Sequence, residues 1–232
     1  MLPEWTQIHT IILDLEQLGI VTRTFRRLDP GRQQLIVQAI LEEAQEKGPA
    51  TINIKKVAER AGVALGSLYQ YFNNRAGLLE FSVQLCVRIL SSDLEKYRPL
   101  LAAMPLREAL YYYLQGGVEW GQTQMGLIRF FGRAAYQGDA ALAEKVVRPV
   151  AQAMSATILE ILQAAWGRGE IREDLDLEAA ARAINAWTIA LDDSQLLPYL
   201  NTYFQVSDEN VSFERALNAA VDILVAGLRP AL

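Results

Sequence analysis

Apolar residues recur at steps of three and four along nearly the whole chain, and no stretch alternates apolar with polar residues long enough to make a half-buried strand. An all-α fold is expected. Leu2, Trp5, Ile8, Ile11, Ile12, Leu15 and Leu18 form one stripe, which predicts an amphipathic helix over 3–18 ending near Gly19. Asp29-Pro30-Gly31 breaks the chain, and a second helix is expected over 31–47, with Leu35, Ile36, Ala39, Ile40 and Ala44 turned inward and Gly48-Pro49 as its stop. Asn53 is placed to accept an unpaired first-turn amide of a short helix over 54–60. Ala61-Gly62 gives a turn, another short helix spans 64–72, and beyond Asn73-Asn74 a longer one spans 76–97.

At 232 residues, with 51% hydrophobic and 21% charged, the chain has material for a substantial core in one large or two small domains. Its single cysteine, Cys86, excludes a disulfide framework and a clustered zinc site, so no cofactor or metal is expected and a reducing, cytoplasmic setting fits. No apolar run approaches the roughly 18 residues that span a bilayer, and MLPEWTQIHT lacks the basic lead of an export signal. Net charge is −5, but residues 1–80 hold nine basic and nine acidic side chains, so the excess acid lies further on. Arg23, Arg26, Arg27 and Arg32 make one basic zone, and Lys55, Lys56, Arg60 and Arg75 another.

Three helices with a tight glycine turn between the second and third have the layout of a helix-turn-helix unit. Leu68, Phe72 and Val63 can anchor the third helix, leaving Ser67, Tyr69, Gln70 and Tyr71 around its other faces. Hydroxyl groups suit phosphate oxygens, and Gly66 permits close approach of the backbone to a duplex.

At VAERAGVALGSLYQYFNNRAGLL, within residues 32–80, the chain resembles the DNA-binding domain of the TetR family of one-component bacterial transcription regulators. The resemblance implies a homodimeric regulator of double-stranded operator DNA, most often a repressor, released by a small-molecule effector. It assigns phosphate contacts to Ser67, Tyr69 and Tyr71, a phosphate or base contact to Gln70, and the place of a phosphate-binding lysine to Arg75, with Lys55 also at the DNA surface. Ala64 and Leu65 depart from the family's frequent serine and lysine; they are expected to meet thymine methyls, which leaves Gln70 to hydrogen-bond a base. The implied organisation is an N-terminal helical extension and basic arm at 1–29, the helix-turn-helix domain at 30–80, and an effector-binding and dimerisation domain at 81–232. Arg23, Arg26 and Arg27 of the arm are expected to touch phosphates or the minor groove.

Dimerisation is expected through helices near 177–197 and 210–228. Leu177, Ala181, Ile184, Thr188, Leu191 and Gln195 make one seam, and Phe213, Leu217, Ala220, Leu224 and Leu228 the other; periodicity alone allows both to be intramolecular core instead. Between them and the head, Tyr112, Trp120, Gln124, Phe130, Phe131, Met154, Trp166 and Trp187 are the candidate lining of a pocket for a largely apolar or aromatic effector, or else core filling. Gly116, Gly117, Gly121 and Gly126 signal a break, vacant space or a tight helix crossing. Asp192-Asp193 is expected on an exposed face or at a cap. His9 is the single histidine, no catalytic triad can be assembled, and no nucleotide-binding fingerprint is present, so an enzyme is not expected. The other open reading is an all-α protein-interaction scaffold on the same fold without ligand control.

Overall fold

The computed structural model describes residues 5–123, 125–136, 140–197 and 199–230, which are helices and connecting turns with no strand among them. They fall into two compact units, one within Met1–Leu90 and Gln124–Val147, the other within Ser91–Thr123 and Arg148–Leu232. Residues 124–147, read from sequence as part of the effector domain, thus group with the N-terminal unit.

The first unit contains α1 (Trp5–Gln17), α2 (Arg23–Arg26), α3 (Pro30–Lys47), a 3-10 turn (Pro49–Thr51), α4 (Ile54–Arg60), α5 (Leu65–Tyr71) and α6 (Arg75–Ala102) as far as Leu90. α3 starts where Asp29 accepts from the Arg32 amide ahead of Pro30, and stops at Gly48, whose φ of 88° suits glycine. Asn53 caps α4 through the Lys55 and Lys56 amides. The inner face of α3 is buried as expected at Ile36, Ala39, Ile40 and Ala44, but Leu35 is exposed and Glu43 is fully buried. The α1 stripe is buried at Ile8, Ile11, Ile12 and Leu15. α2 was not legible in the basic segment. It is anchored by Phe25, whose ring centroid lies 5.0 Å from Phe72 and 6.0 Å from Phe81; burying such a ring contributes roughly 1.5–3 kcal/mol.

α8 (Met125–Tyr136), the three-residue α9 (Ala140–Leu142) and a π turn (Ala143–Val147) complete this unit. α8 packs on α3. The second unit holds α7 (Leu106–Thr123), α10 (Arg148–Gly167), α11 (Leu177–Leu196), α12 (Leu200–Phe204) and α13 (Phe213–Leu228). Its core joins Leu110 and Leu114 of α7, Ile158 and Leu162 of α10, Ile184 of α11, and Leu217 and Val221 of α13. Glu170 fixes one end of this core by accepting from the Leu106 amide at 2.6 Å while pairing with Arg168, whose guanidinium also donates to the Ala102 and Met104 carbonyls. Burial alone would raise the Glu170 pKa, but the hydrogen bonds from Arg168 and Leu106 hold it below the ordinary value.

The helices expected to form the dimer exist, capped by Asp176 and Ser212. The expected seams do not face outward. Ala181, Ile184 and Thr188 of α11, with Leu217, Ala220 and Leu228 of α13, are buried within the chain. The outward faces are instead Ala179, Ala183, Ala186 and Trp187 on α11, and Ala219, Ile223, Ala226 and Gly227 on α13.

Candidate nucleic-acid interface

A cleft of about 390 Å³ runs between the amino end of α4 and α5, lined by Thr51, Asn53, Lys55, Leu65, Tyr69 and Arg75. Two cationic side chains, a phenol and an amide side chain thus meet at one opening, a set of donors suited to phosphate oxygens. Ala64, Gly66 and Gln70 are exposed beside it, and Leu65 and Ser67 are half-buried. Glycine inside a helix costs about 1 kcal/mol against alanine, yet a Cβ at Gly66 would touch nothing in the chain. No internal packing demands glycine there, and the backbone of α5 is open to an external body.

Tyr71, expected to meet phosphate, is only 8% exposed, with its ring 5.8 Å from Phe25 and backed by α2. The residues that hold the cleft in shape were missed by sequence reasoning. Glu43 accepts from the Asn53 amide at 3.0 Å and faces Arg60 at 3.6 Å, tying α4 to α3 where α4 begins. The available signal was an acid within the apolar stripe of α3, seven residues after Ile36 and three after Ile40. Thr51 bonds back to the Lys47 and Gly48 carbonyls, fixing the turn between the same helices. Of the expected basic arm, Arg26 is committed to Glu16, and Arg23 and Arg27 are exposed.

The candidate effector residues are divided between the two units. Phe130 is 9% exposed and belongs to the first unit, with its Cβ 3.3 Å from the Cβ position of Gly48. Trp166 and Trp187 are 48% and 44% exposed, and Tyr112 is also at the surface, so none of the three lines a pocket within the chain. Gln124 lies outside the described residues. Trp120, Phe131 and Met154 are half-buried. A cleft of about 270 Å³ near Leu106, Glu170 and Arg229 includes none of the candidates.

Three of the four glycines mark close crossings, and the fourth, Gly116, faces open space. A Cβ on Gly117 would lie 2.5 Å from Asp192 Oδ2, one on Gly121 2.3 Å from Leu196 Cδ1, and one on Gly126 2.1 Å from the Gln45 carbonyl oxygen. Asp192 therefore lies against α7 rather than on an exposed face, and its Oδ1 is shut from solvent without a hydrogen-bond partner, as is the Tyr113 hydroxyl. Burial, reinforced by the charge of Asp193, holds the Asp192 pKa well above the usual carboxylate range. Burial first, and the Asp192 charge second, push Tyr113 up as well. A carboxylic acid that binds its proton more tightly when folded stabilises the fold most below its unfolded pKa, and that contribution disappears as pH rises through the folded value. Asp192→Asn is accordingly expected to stabilise the protein more at about pH 8 than at about pH 5 in thermal melts. A pH-independent effect would show that Asp192 titrates normally.

Helices α3, α4 and α5 with their basic cleft have the layout of a helix-turn-helix, and the second unit is all-helical among the described residues. Residues 36–80 match the family described as bacterial regulatory proteins, tetR family. The segment that holds α4, α5 and most of α3 is thus similar to the one that defines that family. It is 27% identical over 102 residues to the HTH-type transcriptional regulator BetI of Yersinia pestis (strain Pestoides F), covering 44% of this chain and 52% of that one, so the match spans about half the relative's length. A putative TetR-family regulator from Mesorhizobium loti shares the fold with a TM-score of 0.60 at 19% identity, over 90% of this chain and 100% of that chain. FadR from Bacillus subtilis, solved in complex with stearoyl-CoA, gives 0.56 at 21% identity over 84% and 99%. No helix among the described residues is long and apolar enough to cross a membrane.

Proposed function

We propose that the chain acts as a homodimeric repressor that binds operator DNA through α5 and the adjoining cleft, and leaves it when a small, largely apolar effector binds the helical unit. The observation that carries the DNA reading is the exposed α5 face of Ala64, Gly66 and Gln70 beside Lys55, Tyr69 and Arg75. In it, Lys55, Tyr69 and Arg75 meet phosphates, Gln70 reads a base, and Ala64 and Leu65 meet thymine methyls. The effector reading is supported by the half-buried Trp120 and Met154 on α7 and α10, and by a neighbour of the same fold that carries an acyl-CoA. The dimer reading is supported by the small outward residues of α11 and α13, which permit close helix approach in a four-helix bundle. An effector changes DNA affinity only by binding two arrangements of the paired heads unequally.

Arg75→Ala is expected to weaken binding to all duplexes alike and to lower the salt slope of binding by about one unit, whereas Gln70→Ala should relax sequence preference. Sequence selection from a random duplex pool, followed by salt titration, measures both. An unchanged affinity and slope for Arg75→Ala would remove it from the interface, and failure of the wild-type protein to retain any duplex would favour the scaffold reading.

A further inference from the structure

The N-terminal helices lie outside residues 36–80, yet they are bonded to the recognition helix itself. The Thr22 amide donates to the Tyr71 carbonyl at 2.9 Å, and its hydroxyl donates to the Gln70 carbonyl at 3.0 Å. Asn73, in the left-handed conformation that ends this segment, donates from its side chain to the Gly19 carbonyl at 3.2 Å. Last-turn carbonyls of a helix have no intrahelical donor, and for a helix of seven residues such external bonds are a large part of what keeps the end from fraying. Phe25 backs the junction through Tyr71 and Phe72, and Gln33 holds the end of α2 by donating to the Phe25 and Arg26 carbonyls. Arg88 pairs with Asp14 at 3.2 Å, joining α1 to α6. The segment is therefore a folded part of the head rather than a loose arm.

Its charges are divided in a telling way. Arg26 is neutralised by Glu16, while Arg23 and Arg27, one residue after Thr22 and one after α2, are exposed and form no ion pair among the described residues. Because Thr22 is hydrogen-bonded to Gln70, Arg23 begins beside the end of α5 that carries the exposed Gln70.

We propose that residues 5–28 are a second DNA-contacting element of the head, which clamps the carboxyl end of α5 and brings Arg23 and Arg27 to the phosphate backbone flanking the groove that Gln70 enters. The inference rests on the DNA-binding reading above, and adds to it a basic surface outside the helix-turn-helix. Each phosphate contact removed lowers the slope of log K against log salt by about 0.9.

The test is salt titration between about 50 and 200 mM of a mixed-sequence duplex of about 30 base pairs, using the wild-type chain, Arg23→Ala/Arg27→Ala, Arg75→Ala and, as a control in the other unit, Arg172→Ala. The double variant is expected to lose about 1.8 units of slope and to bind roughly ten- to sixty-fold more weakly near 0.1 M salt, while the control matches wild type. If Arg75→Ala weakens binding and the double variant does not, the clamp fails and the DNA reading stands. If wild type itself does not bind the duplex, both fail. An unchanged melting temperature for the double variant separates lost contacts from lost folding; equal losses of stability and affinity would overturn the contact.

Discussion

Leu217→Glu is expected to unfold the helical unit rather than to split a dimer. Leu217 is buried in the core with Val221, Leu110 and Ile184, and an ionised carboxylate placed there has no partner to replace its water shell. Losing the leucine packing as well, the variant should be destabilised by more than about 4 kcal/mol, within the range that abolishes folding of a marginally stable domain. Ile223, six positions on, is 61% exposed on the outward face of α13. Ile223→Glu should keep its helical content and melting temperature while shifting sedimentation toward monomer and weakening operator binding. A folded, monomeric Leu217→Glu protein would restore the seam read from sequence, and a dimeric Ile223→Glu protein would remove the outward face from the interface.

That contrast shows what periodicity contains. Steps of three and four identify residues that share a face, and α11 and α13 begin close to where those steps place them. Which neighbour a face meets depends on the rest of the fold. On α13 the larger residues Leu217, Val221 and Leu228 turn into the chain, and the small Ala219, Ala226 and Gly227 turn away from it. The helix-turn-helix was legible because its signals are local: the Asn53 cap, the Gly62 turn and the Leu68–Phe72 anchor all act within a few residues. The burial of Tyr71 and of Asp192 was not legible, for a shared reason. Each is covered by a segment distant in sequence, Tyr71 by α2 and Asp192 by α7 at Gly117, and no local pattern announces such a partner. α2 was hidden because four residues, three of them polar, carry almost no periodicity.

The glycines of the 116–126 stretch offer a test of opposite signs. A Cβ on Gly126 would stand 2.1 Å from the Gln45 carbonyl oxygen and 2.4 Å from that of Ala44, both backbone atoms in the last turns of α3. Gly126→Ala can be accommodated only if α8 withdraws from α3, uncovering Phe130 and the Gly48 turn. Overpacking of this kind costs about 1–3 kcal/mol, and rigid backbone on the far side puts this case at about 3 kcal/mol or more, a fall of roughly 6–12 °C in melting temperature. At Gly116 a Cβ meets nothing, so Gly116→Ala should stabilise α7 by up to about 1 kcal/mol. The consequences for function differ as well. Thr51 bonds to the Lys47 and Gly48 carbonyls just beyond the contact and also lines the cleft proposed to meet DNA, so displacing α8 should lower duplex affinity together with stability, whereas Gly116→Ala should leave affinity unchanged. Calorimetry and duplex binding on the two variants decide the matter: a Gly126→Ala protein as stable as wild type would mean that α8 does not lie on the end of α3 at this distance.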